Sequence, residues 1–122
     1  FGRHVAAWFD RQDWLRAHPA PELLGARLRA SDGLTLRQDA TLGDGGWQVD
    51  RQQLALTAGL RWVDDIEPVT LALVGGCDGR LTLRDQVDLL AAAHDVDAAD
   101  LADAAVPLVA HLVERGYLEP VP

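Results

Sequence analysis

The sequence predicts an α+β fold: an N-terminal helix and an antiparallel β-meander, followed by a winged-helix-like module of three helices. The spacing of apolar residues supports this fold. They recur with helical spacing over residues 3–18, alternate with polar residues over 23–63, and return to helical spacing over 64–122. The last part reads as helix, Gly-rich turn, short extended piece, two helices and a closing extended piece. That order is typical of a winged helix.

Size and composition favour one domain. The chain has 122 residues, of which 48% are hydrophobic, and a chain of that length buries about two-thirds of its surface. We therefore expect residues 1–122 to form a single C-terminal accessory domain, with a helix and meander over 1–63 and a winged-helix-like subdomain over 64–122. Because the chain does not begin with Met, we expect it to be part of a longer protein or to be processed.

Charge and cysteine content exclude several classes of protein. Residues 1–63 carry 8 Arg and 7 acidic residues, whereas residues 64–122 carry 3 Arg and 12 acidic residues. The second half would therefore repel nucleic acid and anionic membranes. No apolar run is long enough for a transmembrane helix. The single cysteine, Cys77, rules out an internal disulfide and fits a reducing cytoplasm.

Residues 3–18 predict an amphipathic helix with one apolar stripe. The residues on this stripe are Val5, Trp8, Phe9, Gln12 and Leu15. The charged residues that we expect on the opposite face are Arg11, Asp13 and Arg16. The helix should end before Pro19 and Pro21, because proline cannot donate the backbone hydrogen bond of a helix interior.

Residues 23–63 predict three or four antiparallel strands joined by short turns. The turn signals are Ser31-Asp32-Gly33 and Gly43-Asp44-Gly45-Gly46. Apolar side chains change parity between Trp47 and Leu54. We therefore expect a β-bulge or a break in the strand near residues 50–53, because an extra residue moves the following side chains to the other face.

Residues 64–122 predict three helices. The first begins at Pro68 and ends near Val74, before Gly75 and Gly76. Thr82 and Asp97 begin the other two as N-caps. The residues expected to face the core from the second helix are Leu83, Val87, Leu90 and Ala91. Those from the third are Leu101, Ala105, Leu108 and Leu112, with Val109 and Val113 beside them. Pro107 should kink or split the third helix.

Cys77 is the residue that most resembles a catalytic group. The run Gly75-Gly76-Cys77-Asp78-Gly79 matches the thiol form of a nucleophile elbow, and His94 and His111 follow as candidate bases. Such an elbow needs a large parallel sheet, which this sequence does not predict. We therefore expect a small buried thiol and no catalytic residue, with a small thiol enzyme as the alternative.

Metal and nucleotide sites are not predicted either. The histidines lack ligand spacing with one another or with Cys77, and no Cys-x-x-Cys pair exists. The acidic clusters at 64–67 and 95–100 are explained as helix caps and solvated surface. No phosphate-binding glycine motif follows a predicted strand. We therefore expect no metal-binding and no cofactor-binding residue in the chain.

A winged helix also suggests DNA binding, which the charges disfavour. The candidate recognition helix, residues 98–115, carries Asp100, Asp103 and Glu114 against Arg115 alone. Contacts to DNA come chiefly from Arg, Lys, Asn and Gln. A stand-alone winged-helix module that binds DNA or another protein remains the alternative function.

Four segments carry a family resemblance, and the run around Cys77 is the most specific. They are Arg11-Gln12-Asp13-Trp14-Leu15, Leu23-Leu24 with Arg27-Leu28-Arg29, the run from Leu73 to Thr82, and Gly116-Tyr117-Leu118-Glu119-Pro120. The chain resembles the C-terminal region of actinobacterial class I S-adenosylmethionine-dependent methyltransferases related to the release-factor glutamine methyltransferases. In that family a Rossmann-like catalytic domain precedes this region. The resemblance therefore implies a methyltransferase parent chain that uses S-adenosylmethionine.

The implied function is that of a non-catalytic accessory domain. It would pack on the catalytic domain of the same chain or hold a protein substrate beside it. Four tryptophans are many for this length, and exposed aromatic residues anchor interfaces. The residues expected to form the interaction surface are Trp8, Trp14, Trp47 and Trp62.

Overall fold

The N-terminal helix, α1, runs from Gly2 to Ala17, as the sequence predicts. The structure is a computed structural model that describes residues 2–56, 63–65 and 68–122, with the backbone alone at 63–65. Within α1 no described side chain is buried, so the predicted apolar stripe is only partly correct. Trp14 and Leu15 pack against the core, while Val5 and Phe9 are exposed.

A second short helix, α2, follows and was not predicted. It runs from Ala20 to Leu24, and Pro21 lies in its first turn. The N–H groups of the first turn have no partner within the helix, so a proline there breaks no hydrogen bond. Leu23 and Leu24 are both buried. The prolines therefore do end α1, but they also begin a new helix that places two leucines in the core.

The first of the predicted strands lies in a different sheet from the others. Strand β1 (Arg27–Ala30) is the centre of an antiparallel sheet, between β5 (Asp78–Thr82) and β6 (Leu118–Pro120). The expectation of one continuous meander over 23–63 is therefore wrong at its first strand. The sheet joins the first and second halves of the chain, because β1 pairs with strands of the second half.

The remaining strands form the second antiparallel sheet of the described residues. It contains β2 (Leu34–Gly43), β3 (Gly46–Leu56) and β4 (Val63–Asp65) in that order. Strands β2 and β3 form a long hairpin across the predicted turn at Asp44-Gly45. Its register shifts at the step between Asp39 and Ala40, where Asp50 is the extra residue on β3. The predicted bulge is thus confirmed.

The three C-terminal helices have the predicted order. They are α3 (Pro68–Gly75), α4 (Leu83–His94) and α5 (Ala98–Glu114). The side chain of Thr82 accepts a hydrogen bond from the backbone N–H of Asp85, and Asp97 accepts one from Asp100. Both residues therefore cap their helices as expected. Pro107 lies inside α5 and does not divide it.

The buried face of α5 differs from the predicted stripe. Ala105 and Leu112 are buried as expected, whereas Leu108 is exposed and Ala102 is buried instead. The neighbours of α5 explain the difference, because the contacts with α1, α2 and α4 decide which of its side chains are covered. The spacing of apolar residues in one helix does not show which of them the neighbouring helices will bury.

The core gathers side chains from most of the described elements. Those that are almost fully buried are Leu23, Leu28, Leu54, Leu73, Leu83, Val87, Val109, Val113, Tyr117 and Leu118. They come from helices and from both sheets, so the α+β class is confirmed, with its N-terminal helix and antiparallel sheets. The described elements do not confirm the winged-helix part of the prediction.

Candidate functional site

The β2–β3 hairpin carries the main exposed apolar surface of the described residues. Leu42 lies opposite Trp47, Ala40 opposite Val49, and Leu36 opposite Leu54. Side chains alternate along a strand, so these residues lie on one face of the hairpin. The extra residue Asp50 keeps Val49 on the same face as Leu54 despite their odd separation.

Exposure along this face increases from the core to the hairpin tip. Leu54 is 2% exposed, Leu36 43%, Val49 52%, Leu42 64% and Trp47 73%. The face therefore begins in the hydrophobic core and continues, uncovered, towards the turn. The polar pair Gln38 and Gln52 crosses this face between Leu36 and Ala40, so the apolar cluster near the tip consists of Ala40, Leu42, Trp47 and Val49. A cluster of exposed apolar residues marks an interaction site more often than singly exposed residues do. We call Leu36, Ala40, Leu42, Trp47 and Val49 the hairpin face.

The open edge of β2 lies beside the hairpin face. Among the described strands, β2 pairs with β3 alone, and nearly all of its side chains are exposed. Its outer backbone N–H and C=O groups are therefore available to another strand. The opposite face of the hairpin is polar: it carries Arg37 and Asp39, and Thr41 donates a hydrogen bond to the carboxylate of Asp50.

The structure describes three of the four tryptophans that the sequence predicts to form an interaction surface. Trp8 is half-buried on α1 and meets Phe9 edge-on, with ring centroids 5.1 Å apart. Trp14 is half-buried against the core and stacks on His18 at 4.0 Å. Trp47 is exposed at the hairpin tip, and Trp62 lies outside the described residues. Among the described rings, no contact joins two tryptophans.

Most of the hairpin face was not predicted as a functional site. Sequence reasoning singled out Trp47 for its size and did not single out Leu36, Leu42 or Val49. The change of parity near Asp50 was the available signal. Once the bulge is placed there, the apolar residues of both strands fall on one face, and the outer ones lie too near the turn to reach the core.

Cys77 has the surroundings of a structural thiol. It is buried, and its Sγ donates to the backbone carbonyl of Leu73 at 3.1 Å and lies 3.6 Å from Oε1 of Gln86. The pKa of the thiol is raised to about 11, chiefly by burial; the contact with the Gln86 side chain opposes this rise, and the charge of Asp78 adds to it. The candidate bases His94 and His111 are exposed on α4 and α5. A neutral, buried thiol is a poor nucleophile.

The described residues offer no metal site. No group of three or more His, Cys, Asp or Glu side chains lies close enough together in this part of the chain to hold an ion. Among the helices of the same residues, none is long and apolar enough to cross a membrane. The hairpin face and the adjacent β2 edge are therefore the candidate functional site.

Comparisons with known proteins find a family model and a solved structure that match the chain. Residues 6–120 match a family described as a domain of unknown function, DUF7782. No curated protein matches the chain. Among solved structures, the chain is similar to the PqqD truncation of PqqCD from Methylobacterium extorquens, determined in solution by NMR. The two are 25% identical with a TM-score of 0.54, over 75% of this chain and 87% of that chain.

That PqqD structure represents a functional and stand-alone ribosomally synthesized and post-translationally modified (RiPP) recognition element. The similarity corrects the predicted family, because neither match indicates a methyltransferase accessory domain. The winged helix that binds DNA is not supported either. The segments behind the methyltransferase resemblance have structural roles here: Leu73 and Cys77 are buried, and Thr82 caps α4. Residues shared at such positions reflect the packing of the fold and do not indicate an enzymatic activity.

Proposed function

We propose that this chain, which belongs to the DUF7782 family, recognises an extended peptide segment of a partner protein. The observation that carries the proposal is the similarity to the PqqD recognition element, which covers 75% of this chain. The hairpin supplies a surface suited to that role. We place the interaction in the cytoplasm, because Cys77 is a free thiol.

The peptide pairs with the open edge of β2 as an added strand. Peptide recognition by strand addition takes its affinity from main-chain hydrogen bonds and its specificity from alternate side chains. β2 spans 10 residues, long enough for several such bonds. Every second side chain of the peptide then lies beside Leu36, Gln38, Ala40 and Leu42. Long apolar side chains of the peptide reach across β2 to the indole of Trp47, which lies opposite Leu42.

This arrangement predicts the pattern of the peptide. Side chains beside the hairpin face are apolar, because they cover apolar surface that is otherwise in water. Side chains on the other face lie near Arg37 and Asp39 and are polar. A long edge strand with an apolar face invites aggregation when it is uncovered, and a bound peptide removes that exposure.

A displayed library of random linear peptides tests the proposal. We expect enrichment of sequences in which apolar and polar residues alternate. Calorimetry with a selected peptide then compares the wild-type chain with Trp47→Ser and with Gln48→Ala, which is exposed on the other face of the hairpin. Loss of a buried aromatic anchor weakens binding by about 30-fold or more. The Gln48→Ala control should stay within about twofold of wild type.

Two outcomes would overturn the proposal. One is a failure of any linear peptide to be enriched over an unrelated bait. The other is a selected peptide that binds Trp47→Ser and wild type equally well, with both proteins folded by circular dichroism.

Methylated peptides test the strand geometry separately. In a strand pair, only alternate backbone N–H groups point to the neighbouring strand. One peptide carries N-methyl groups on the odd-numbered amides and a second peptide carries them on the even-numbered amides. We expect one of the two to lose binding and the other to bind as the unmodified peptide does. An equal loss of affinity in both methylated peptides would contradict strand addition.

A further inference from the structure

Strand β2 is complementary to a second copy of itself that runs in the opposite direction. It contains two charged residues, Arg37 and Asp39, with Gln38 between them. In an antiparallel pair of two β2 strands centred on Gln38, Arg37 of each copy lies opposite Asp39 of the other. In the same register Leu36 lies opposite Ala40. The strand therefore sets charge opposite its counter-charge and apolar side chain opposite apolar side chain.

The ends of β2 fit this register as well. Leu34 of one copy lies opposite Leu42 of the other, on the same side of the strands as the hairpin face. Thr35 lies opposite Thr41, on the polar side. Opposite-charge pairs and pairs of threonines both stabilise adjacent strands. The match therefore extends over nearly the whole length of β2.

The backbone of β2 allows this pairing. Gly43 pairs with Gly46 across the two-residue turn, so odd-numbered residues of β2 direct their N–H and C=O groups towards β3. The bulge adds its extra residue to β3, so the alternation continues unbroken along β2. Even-numbered residues, including Gln38, direct their groups to the open edge. A two-fold axis at Gln38 would give about ten backbone hydrogen bonds between the strands.

Charge disfavours the neighbouring registers. Moving the two-fold axis to Arg37 or to Asp39 sets that residue opposite its own counterpart, and like charges directly opposite destabilise a strand pair. Arg37 and Asp39 are both exposed, and neither forms an ion pair with another of the described residues. Both charges are therefore open to a partner, and together they select the register about Gln38.

We propose that a second copy of this chain pairs antiparallel with β2 about Gln38, so that the two hairpins form one continuous sheet. The chain has a net charge of -8, but β2 carries one Arg and one Asp, so the two copies meet where local repulsion is absent. The dimer covers the edge that we assign to the peptide, so the two partners exclude each other. Only this competition rests on the proposed function.

Analytical ultracentrifugation of the whole chain tests the proposal. We expect a reversible dimer whose population rises with protein concentration. Asp39→Arg sets Arg opposite Arg twice in the symmetric dimer and should raise its dissociation constant by about tenfold or more. Asp88→Arg makes the same change of net charge at an exposed position of α4 and should not weaken the dimer.

Exchange of the two charges separates specific pairing from damage to the hairpin. Arg37→Asp alone should weaken the dimer, whereas the double variant Arg37→Asp/Asp39→Arg restores both opposite-charge pairs and should associate as wild type does. A mixture of the two single variants should form heterodimers, because each Asp of one chain then lies opposite an Arg of the other. Circular dichroism reports whether each variant is folded.

Three results would overturn the inference. They are a chain that stays monomeric at about 1 mM, where even weak dimers form, equal association of Asp39→Arg and Asp88→Arg, and a mixture of the single variants that does not associate.

Competition gives the last test. A peptide selected against the chain should convert the dimer into monomers that carry the peptide, and a peptide bound to an intact dimer would contradict the shared edge. Sedimentation without peptide tests the dimer, whereas the selected peptides and Trp47→Ser test the proposed function. Failure of the dimer and failure of the proposed function are therefore read from different experiments.

Discussion

Arg11 of α1 donates a hydrogen bond from Nε to the backbone carbonyl of Glu114, the last residue of α5, at 3.0 Å. The residues are far apart in sequence, so this contact fixes the N-terminal helix to the C-terminal one. A cation at the end of a helix also stabilises its unpaired carbonyls. Sequence reasoning placed Arg11 on the solvent face, whereas the structure half-buries it against α5.

The first prediction concerns Gly116, which lies beneath the Arg11 guanidinium. Its φ is +82°, and a Cβ there would lie 3.3 Å from Cζ of Arg11. Gly116→Ala should therefore lower the free energy of unfolding by about 1–2 kcal/mol, from backbone strain and displacement of Arg11. Urea denaturation measures the change. Gly45→Ala, in open space without a positive φ, is the control and should change stability by less than about 0.5 kcal/mol.

Arg11 itself gives the second prediction. Arg11→Met keeps much of the aliphatic stem and removes the donor, so unfolding should become easier by about 1–2 kcal/mol. Arg16→Met is the matched control, because its ion pair with Asp13 is about three-quarters exposed and contributes little. Equal stability losses in the two variants would show that the contact with Glu114 has no special weight.

The third prediction separates Trp14 from Trp47. Trp14 packs against the core and stacks on His18, so Trp14→Ala should destabilise the chain by about 2–3 kcal/mol. Trp47→Ala should change the free energy of unfolding by less than about 0.5 kcal/mol, because the indole is 73% exposed. Thermal unfolding of the two variants checks the order. A larger loss for Trp47→Ala would mean that the hairpin face is covered within the chain.

The fourth prediction is the effect of pH through Cys77. Burial raises the pKa of this thiol to about 11, while an unfolded cysteine has a pKa near about 8.5. The unfolded state therefore releases a proton first as pH rises, and stability falls between those values by about 1.4 kcal/mol per pH unit. Below pH 8 this contribution is fully present. Denaturation of wild type and Cys77→Ala at several pH values isolates it, and parallel curves would contradict it.

The sequence predicts local features of this chain well, because they depend on neighbouring residues. Thr82 and Asp97 cap helices, Asp44-Gly45 turns the hairpin, and the change of parity gives the bulge at Asp50. These features need no knowledge of distant partners. The helical content and the α+β class follow from the same short-range periodicity.

Features that depend on distant partners were missed. Strand β1 resembles the strands that follow it, but it pairs with β5 and β6, which lie about 50 and 90 residues later in the chain. Leu108 fits the predicted apolar stripe on α5 but is exposed, because the neighbouring helices cover other side chains of α5. The family prediction failed for a related reason: its motifs lie at structural positions such as Leu73 and Gly116.

Residue-resolved amide exchange along β2, with and without a selected peptide, tests the central claim most directly. We expect alternate amides between Leu34 and Gly43 to exchange more slowly when the peptide is bound, while those of β5 stay unchanged. Peptide binding without added protection in β2 would contradict the account, because the edge that we assign to recognition would then remain unpaired.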